Sequence, residues 1–331
     1  MNILIVYDSI IPAKTYGGIE RVVWCLGREL IKMNHKVTFL VKKGSTCPFA
    51  NVLTIDPALN INDQIPADIE IVHFHFRPPS VEHLRTKYLM TIHGNSKDLS
   101  ELNMNSVFVS KNHAARHNSS CYVLNGLDWD DYLPPTFVNK RDYCHFLGKA
   151  AWSVKNVKGA ISISQSAKTR LKVIGGYRMN FNMGFRFTIS PSIQFYGMLG
   201  GNEKLKILDE SLGLIFPVRW HEPFGLAIIE SLFYGCPVFA TPYGSLPEII
   251  NKDVGFLSNA EHEFVEAIKN VDVFSPQRCH DYARDVFNSK IMANSYLEKY
   301  ELVLSGKNLN PSPPRLLELS KEKLLAWYKT S

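Results

Sequence analysis

The first forty residues of this chain restrict it to an α/β fold. Asn2–Tyr7 is a continuous apolar run, which is typical of a parallel strand buried on both faces. A turn containing Gly17-Gly18 follows, then an amphipathic helix over Ile19–Asn34 and a second apolar run over Val37–Val41. A strand, a glycine turn, a helix and a strand in this order form a βαβ unit. The sequence therefore predicts an α/β doubly wound parallel sheet.

The rest of the chain repeats this alternation in two blocks, and 331 residues suffice for two domains of about 100–200 residues each. Asp130–Asp142 contains Leu133-Pro134-Pro135 and little periodicity, so we place the inter-domain linker there. The predicted domains are 1–134 and 142–305, and an amphipathic helix over 315–330 closes the chain. Further strands are predicted at 69–74, 88–92, 106–110, 122–124, 143–147, 171–174, 193–196, 212–216 and 237–240. Further helices are predicted at 157–165, 203–210, 226–234, 261–271 and 278–305.

Composition points to a soluble globular protein in a reducing compartment. Hydrophobic residues make up 45% of the chain and charged residues 21%, which is ordinary for such proteins. The six cysteines have no paired spacing, which favours a reduced cytosolic location over a disulfide framework. The first ten residues lack a basic segment and predict a strand, not a signal peptide. We expect a cytoplasmic protein.

The net charge of +6 is modest. An anionic substrate and an anionic lipid surface are both compatible with it. The basic residues are interspersed with acids over most of the chain, without the aromatic interleaving of a nucleic-acid-binding surface. We expect no nucleic-acid partner.

The segment Trp220–Glu248 has the chemistry of a sugar-nucleotide site. A loop with Glu222 leads through Pro223-Phe224-Gly225 into an apolar helix that contains Glu230. Free backbone N–H groups at a helix start bind anions. A carboxylate inside the helix would repel a phosphate, but it suits the hydroxyl groups of a ribose or hexose. Five residues of helix rise about 7.5 Å, close to the distance from a diphosphate to a ribose.

The same segment resembles a known family. Glu222 and Glu230 are separated by seven residues, and with the following Gly235-Cys236-Pro237-Val238 they resemble the E-x7-E signature of the retaining family 4 glycosyltransferases. This resemblance implies the GT-B architecture, in which two Rossmann-like domains with parallel sheets face a central cleft. In that family the last helix packs back toward the N-terminal domain, a position that the helix over 315–330 could take here.

The resemblance also assigns roles in donor binding. Glu222 would bind hydroxyls of the donor sugar, and Glu230 those of the ribose. The backbone amides of Phe224, Gly225 and Leu226 would approach the sugar and the distal phosphate.

Two cations would neutralise the diphosphate leaving group. Lys149, in Phe146-Leu147-Gly148-Lys149, and Lys158, followed by Gly159, resemble the basic pair of the family. Lysine replaces the usual arginine at position 149 and loses its planar bidentate fork. The spacing to Lys158 is longer than usual, so Lys155 stays a rival for the second role, and solvated surface lysines are the alternative for each.

Three further motifs resemble the N-terminal domain of the family. Gly17 and Gly18, within Tyr16-Gly17-Gly18-Ile19-Glu20, would bring backbone amides close to the donor diphosphate or the acceptor. His93, at the end of a predicted strand, would lie near the transferred sugar. Asn125-Gly126-Leu127-Asp128 resembles a structural turn at the edge of the cleft. A metal site built from His73, His75 and His93 is disfavoured because no acidic or cysteine ligand accompanies them.

The function that follows is a retaining transfer of a hexose-type sugar from a UDP-, GDP- or ADP-sugar to an acceptor hydroxyl. The resemblance implies no protein nucleophile and no required metal or cofactor. The acceptor would be a glycan, glycolipid or small molecule, as in lipopolysaccharide or capsule biosynthesis. Two alternatives stay open, a GT-B sugar-nucleotide epimerase and a non-catalytic sugar-nucleotide-binding scaffold. A nicotinamide-dependent oxidoreductase is disfavoured because G-x-G-x-x-G is missing.

Peripheral membrane contact is a separate question. Basic residues cluster around the first predicted helix and second strand, and the predicted terminal helix combines leucines and Trp327 with lysines. Both could hold the protein at the inner face of an anionic membrane. Solvated lysines and a packed terminal helix are the alternative.

Overall fold

The computed structural model describes residues 1–13, 17–79, 81, 84–181, 185–319 and 322–329. They divide into two compact units. The first unit comprises Met1–Trp129 and Phe287–Leu319, and the second comprises Asp130–Val286 and the described part of the final segment. The sequence predicted that the second domain would extend to residue 305. The chain instead returns to the first unit at Phe287.

The secondary structure alternates along the chain as predicted. The described strands are β1 (Asn2–Tyr7), β2 (Lys36–Val41), β3 (Asn51–Thr54), β4 (Ile71–Phe74), β5 (Lys87–Ile92), β6 (Ser106–Phe108), β7 (Tyr143–Leu147), β8 (Arg170–Ile174), β9 (Met179–Asn180), β10 (Arg186–Phe187), β11 (Ile193–Phe195), β12 (Leu214–Phe216), β13 (Val238–Ala240) and β14 (Gly255–Leu257). The described α-helices are α1 (Ile19–Lys32), α2 (Lys111–Ala115), α3 (Val157–Ser166), α4 (Gly201–Asp209), α5 (Leu226–Phe233), α6 (Leu246–Ile249), α7 (Glu261–Lys269), α8 (Pro276–Val286) and α9 (Ser289–Leu304).

Each unit contains a six-stranded parallel sheet. The first has the order β3-β2-β1-β4-β5-β6 and the second β11-β8-β7-β12-β13-β14. When the strands of each six-stranded sheet are numbered in chain order, both sheets have the order 3-2-1-4-5-6 of a doubly wound fold. The predicted α/β doubly wound architecture is confirmed.

The predicted strands agree with these sheets except at their edges. Residues 122–124 form no strand, although Tyr122 makes an isolated bridge with Phe108. The edge strands β3 and β14 and the antiparallel hairpin of β9 and β10 were not predicted. Edge strands are partly exposed and need few apolar residues, so their sequences carry a weak signal.

The side chains at the centre of each sheet are buried. Ile3, Leu4, Ile5 and Val6 of β1 are fully buried, as are Phe146 of β7 and Phe239 of β13. Strands covered on both faces need apolar side chains at successive positions, which explains the continuous apolar runs in the sequence.

The Asn125-Gly126-Leu127-Asp128 turn fastens the returning chain to the first unit. The Leu127 amide donates to the carbonyl of Phe287 (3.0 Å), and the Ser289 amide donates to the carbonyl of Leu127 (2.8 Å). A Cβ at Gly126 would lie 2.1 Å from the carbonyl oxygen of Asn288. The turn therefore has the structural role that the resemblance implied.

The predicted terminal helix is wrong for the residues described. Residues 315–319 and 322–329 contain no helix, while residues 320, 321 and 330 lie outside the described part. The Leu325 amide donates to the carbonyl of Arg219 (2.9 Å), and the Tyr328 amide to that of Asn259 (2.8 Å). These carbonyls of the second unit take the N–H groups that a helix would have used internally. The ring of Trp327 packs 5.4 Å from that of Phe264.

Two other features bear on the sequence predictions. All six cysteines are free thiols, and five of them are buried. Among the described residues, the helices are too short or too polar to cross a bilayer.

We expect Gly126→Ala to lower the free energy of unfolding by about 1–3 kcal/mol, because the new methyl group must displace the backbone at Asn288. Thermal unfolding of the two proteins measures the effect. Gly94→Ala is the matched control, since a Cβ at Gly94 meets no atom within 4 Å. Equal losses in both variants would contradict this account of the turn.

Candidate active site

The candidate site of the second unit lies where its strand order reverses. The central strands β7 and β12 are neighbours, and the chain leaves them toward opposite sides of the sheet. In doubly wound sheets, ligands bind outside the carboxyl ends of the strands at this point. Here the loop after β7 supplies Lys149 and Lys155, and the loop after β12 supplies Trp220 and Glu222.

The two loops meet in an ion pair. Nζ of Lys155 donates to Oε2 of Glu222 (2.7 Å), and Nε1 of Trp220 donates to the same oxygen (2.8 Å). Glu222 is 6% exposed. The Lys155 ammonium also lies 4.9 Å from the ring centroid of Trp220, which stabilises a cation through the π face. A carboxylate and an ammonium are thus held together at the predicted sugar-binding position.

Glycines give the Glu222 loop its shape. Gly244 has φ +65°, and a Cβ there would lie 2.4 Å from the amide nitrogen of Glu222. The Ser245 amide donates to the carbonyl of Glu222 (2.9 Å), and its hydroxyl donates to that of Phe224 (2.8 Å). Gly225, with φ +94°, then turns the chain into α5. A side chain would strain either glycine in this left-handed conformation.

Glu230 lies inside α5 and is 1% exposed. Its Oε1 accepts from Nζ of Lys204 (2.5 Å) and from the hydroxyl of Tyr132 (3.0 Å). The cation and the hydroxyl compensate for the loss of water around the carboxylate. The predicted ribose-binding residue is therefore also part of a buried ion pair.

Lys149 and Lys158 differ from Lys155 in their surroundings. Both are exposed, and Nζ of Lys149 lies 4.9 Å from the ring centroid of Trp152. The Trp152 ring packs edge-on against that of Trp220, with 6.4 Å between the ring centroids. Lys149 and Lys155 therefore each contact one ring of the same aromatic pair. Of the two rivals for the second cation, Lys155 is the one that contacts Glu222.

Lys158 lines a small cavity in the same unit. The cavity has a volume of about 210 Å³ and is also lined by Asn156, Arg186 and Arg219. Asn156 caps the start of α3 by accepting from the amide of Gly159 (3.1 Å). Three cations and a helix start make this cavity electropositive, and a phosphate-binding role for Lys158 stays a prediction.

The first unit has its own candidate site at the equivalent position. Its strand order reverses between β1 and β4, and His75 follows β4 directly. His75 and His93 belong to an open pocket of about 390 Å³, which is also lined by Ile19, Arg77 and Lys97. The predicted His93 thus lies at the carboxyl end of the sheet.

The loop after β1 contains the predicted glycines Gly17 and Gly18, and its local structure requires glycine at only one of them. A Cβ at Gly17 would lie 2.6 Å from that of Ala13, so packing within the loop already requires glycine there. Gly18 precedes α1 with a negative φ that any residue can adopt. Tyr16 lies outside the described residues. An approach of these amides to a ligand stays a prediction.

The histidines of the first unit form hydrogen bonds with one another and with hydroxyl groups. Nδ1 of His75 lies 2.9 Å from Nε2 of His93. His73 lies between the hydroxyls of Tyr300 (2.8 Å) and Thr91 (2.7 Å). No group of three or more histidine, cysteine or acidic side chains among the described residues is arranged to hold a metal ion.

Burial keeps these histidines neutral. Desolvation lowers the pKa of His93 to about 3. Desolvation and then neighbouring histidines lower the pKa values of His73 and His75 well below the ordinary value. A neutral His93 can accept or donate a hydrogen bond to a sugar hydroxyl, but it carries no positive charge at neutral pH.

Sequence reasoning missed several partners of the site. Lys204 is one of several lysines and acids in an amphipathic helix, and no local pattern indicates its contact with Glu230, 26 residues away. Tyr132 falls within the predicted linker. Trp220 opens the segment identified from the sequence, but its bond to Glu222 depends on the loop conformation.

We expect Lys204→Met to lower the free energy of unfolding by about 3–5 kcal/mol, because it deprives a buried carboxylate of its cation. Denaturant titration measures the loss. Lys269→Met, at an exposed pair with Glu266, is the control and should cost about 0.5 kcal/mol or less. Adding Glu230→Leu to Lys204→Met should restore most of the stability. A double variant no more stable than the single one would refute the pairing argument.

The histidine cluster predicts a pH dependence of stability. An unfolded histidine takes up a proton near its ordinary pKa of about 6.5, whereas the pKa of folded His93 is about 3. The unfolded state therefore binds more protons between these values, and the free energy of unfolding falls as the pH falls from about 6.5 to about 3. Each such histidine contributes a slope of up to about 1.4 kcal/mol per pH unit.

Denaturant titrations at several pH values measure this slope. His75→Phe should make it shallower because one buried histidine is removed. His262→Gln changes an exposed histidine and should leave the slope as it is. A wild-type stability that is constant between pH 7 and 5 would count against neutral buried histidines.

Comparison with known proteins agrees with this architecture. Residues 142–271 match the family described as "Glycosyl transferases group 1". The chain is 32% identical over 148 residues to an uncharacterized 41.2 kDa protein in the cps region of Klebsiella pneumoniae, a match that covers 43% of this chain. The match spans only 40% of the length of that curated relative.

Solved glycosyltransferases share the fold of nearly the whole chain. AviGT4, involved in avilamycin A biosynthesis, matches with a TM-score of 0.73 and 20% identity over 92% of this chain and 98% of its own. HepE from Anabaena, in complex with UDP and glucose, matches with a TM-score of 0.64 and 12% identity over 91% of this chain and 99% of its own. This chain therefore has the GT-B fold, and its residues 142–271 match the glycosyl transferases group 1 family.

Proposed function

We propose that this protein is a glycosyltransferase that moves a hexose-type sugar from a nucleoside-diphosphate sugar to an acceptor hydroxyl with retention of configuration. The observation that carries the proposal is the pairing of Lys155 and Glu222 where the strand order of the group 1 domain reverses. The ammonium group of Lys155 suits a phosphate, and the carboxylate of Glu222 suits sugar hydroxyls. An E-x7-E segment placed in this way supports a donor site.

The donor would extend along the start of α5. The backbone amides at the start of this helix would, with Lys155 and Lys149, hold the diphosphate. Both hydrogen bonds recorded for Glu222 end on Oε2, so Oε1 would accept from a sugar hydroxyl. Glu230 would accept from the ribose by sharing the carboxylate with Lys204 and Tyr132.

In the transfer, the bond between the anomeric carbon and the diphosphate oxygen breaks, and both electrons go to the leaving diphosphate. The acceptor oxygen forms the new bond on the same face and gives its proton to an oxygen of that diphosphate. The developing negative charge is stabilised by Lys155, Lys149 and the helix amides. Positioning and electrostatics would supply the catalysis, with no protein nucleophile and no metal.

The donor is proposed to be a UDP-, GDP- or ADP-sugar. Support for a nucleoside diphosphate comes from HepE, whose structure holds UDP and glucose. The acceptor is proposed to be a glycan or glycolipid, since the Klebsiella relative lies in a cps region. In the first unit, His93 would bond an acceptor or sugar hydroxyl as a neutral ring. A cytoplasmic location suits such donors.

We expect Lys155→Met to lower kcat by about 10²–10³, because it removes a preformed positive charge from the leaving group. Release of the nucleoside diphosphate from a panel of UDP-, GDP- and ADP-sugars, with candidate acceptors, gives the rates. Lys158→Met is the matched control, since Lys158 is exposed and has no ion pair with Glu222 in the described structure, and should change kcat by less than about tenfold. A larger effect at Lys158 would reverse the assignment of the two lysines.

The same panel separates the alternative functions. A sugar transferred with retention supports the proposal, whereas an epimerised nucleotide sugar would favour the epimerase. Thermal stabilisation by a nucleotide sugar without turnover would favour the scaffold. A donor present at 100 times its Kd should stabilise the protein by about 2.7 kcal/mol, which thermal unfolding can detect. Activity that disappears with EDTA would contradict a metal-independent reaction.

A further inference from the structure

The hairpin of β9 and β10 in the second unit exposes large apolar side chains. Six of them have between 50% and 79% of their surface exposed, and we call them the hairpin surface: Tyr177, Met179, Phe181, Phe185, Phe187 and Ile189. Burying one large apolar side chain contributes about 1.5–3 kcal/mol, so six exposed neighbours are unusual in a folded unit.

These side chains are not what holds the hairpin in place. The guanidinium of Arg178 donates to the carbonyls of Thr188 (2.7 Å) and Ile193 (2.9 Å). That of Arg186 donates to the carbonyl of Tyr177 (2.9 Å), and it lies 4.8 Å from the ring centroid of Phe195. Two arginines thus fix the backbone from within. The hairpin surface is left for something outside the unit.

The charge around the hairpin favours an anionic partner. From Tyr143 to Asn202 the sequence contains no aspartate or glutamate, but it contains the cations Lys149, Lys155, Lys158, Lys168, Arg170, Lys172, Arg178 and Arg186. Two of them pair with carboxylates outside this segment, Lys155 with Glu222 and Arg170 with Asp142. The hydrogen bonds recorded for Arg178 and Arg186 end on carbonyl and hydroxyl oxygens, which do not neutralise them. Two copies of this surface would therefore repel each other electrostatically.

We propose that the hairpin surface docks on an anionic phospholipid bilayer. Phenylalanine and tyrosine rings would enter the boundary between headgroups and acyl chains, and the acid-free cationic segment would be attracted to the headgroups. Apolar insertion and electrostatic attraction are two signals, and stable peripheral binding needs more than one.

The surfaces first expected to contact a membrane are less suited to it. Asp128 pairs with both Arg28 and Lys32 (2.9 Å each), and Asp8 pairs with Lys42 (3.2 Å). The terminal segment forms no amphipathic helix in the residues described. The hairpin combines exposed apolar groups with Arg178 and Arg186, whose hydrogen bonds end on carbonyl and hydroxyl oxygens. It therefore takes the place of the surfaces first expected to contact a membrane.

Co-sedimentation of the full chain with vesicles tests the proposal. One set consists of phosphatidylcholine and the other of equimolar phosphatidylcholine and phosphatidylglycerol. The wild type should bind the acidic vesicles at least about tenfold more tightly, and added salt should weaken this binding. The combined variant Phe181→Ser, Phe185→Ser, Phe187→Ser should lose at least about tenfold in binding, since each ring contributes more than a factor of ten when fully buried.

A matched control tests whether vesicle binding requires the hairpin surface or only exposed apolar side chains in general. The combined variant Leu59→Ser, Leu133→Ser, Val273→Ser changes three exposed apolar side chains elsewhere and should bind like the wild type. Thermal unfolding should show that both variants fold. Equal binding by the hairpin variant and the wild type would overturn the proposal, as would no binding to acidic vesicles. A wild-type dimer that the hairpin variant converts to a monomer, without vesicle binding, would assign the surface to a second copy instead.

Discussion

Parallel pairing is the constraint on which both units depend. Parallel neighbours cannot be joined by a tight turn, so each pair needs a crossover, and helices come to cover both faces of the sheet. When the chain reverses its direction of winding, two adjacent strands send their loops to opposite sides. A crevice between these two loops then opens at the carboxyl ends of the buried central strands, which are β1 and β4 in one unit and β7 and β12 in the other. Each unit therefore has a crevice at its centre before any functional residue is chosen.

Charge in the second unit is organised around this crevice. The carboxylates of Glu222 and Glu230 are both buried, and each is matched by one lysine. Such pairs contribute little net stability, because desolvation offsets most of the attraction. Their value lies in position, since they hold carboxylates where hydroxyl groups of a ligand could share them. The first unit has neutral histidines at its crevice instead, so the two crevices offer different chemistry.

Sequence patterns predicted the features that depend on local structure. Apolar runs located β1 and β7, and the glycines around Glu222 marked turns with left-handed backbone. The pairing of Lys204 with Glu230 depends on tertiary packing, which no spacing encodes. The prediction of a single helix over 278–305 also overlooked a local signal, a capping residue at the start of a second helix. Asn288 caps α9 by accepting from the amide of Ile291 (2.9 Å), and the helix breaks just before it.

The terminal segment was predicted wrongly and the hairpin was not predicted, for a common reason. The sequence of each has a periodic pattern that indicates a secondary structure. The structure that forms depends instead on the tertiary partners of the backbone and the side chains. The amphipathic sequence after residue 315 would suit a helix, yet carbonyls of Arg219 and Asn259 accept its N–H groups. In the hairpin, alternating aromatic residues would suit a half-buried sheet. Arg178 and Arg186 fix its backbone without burying those rings, so the apolar face is left to a partner outside the unit.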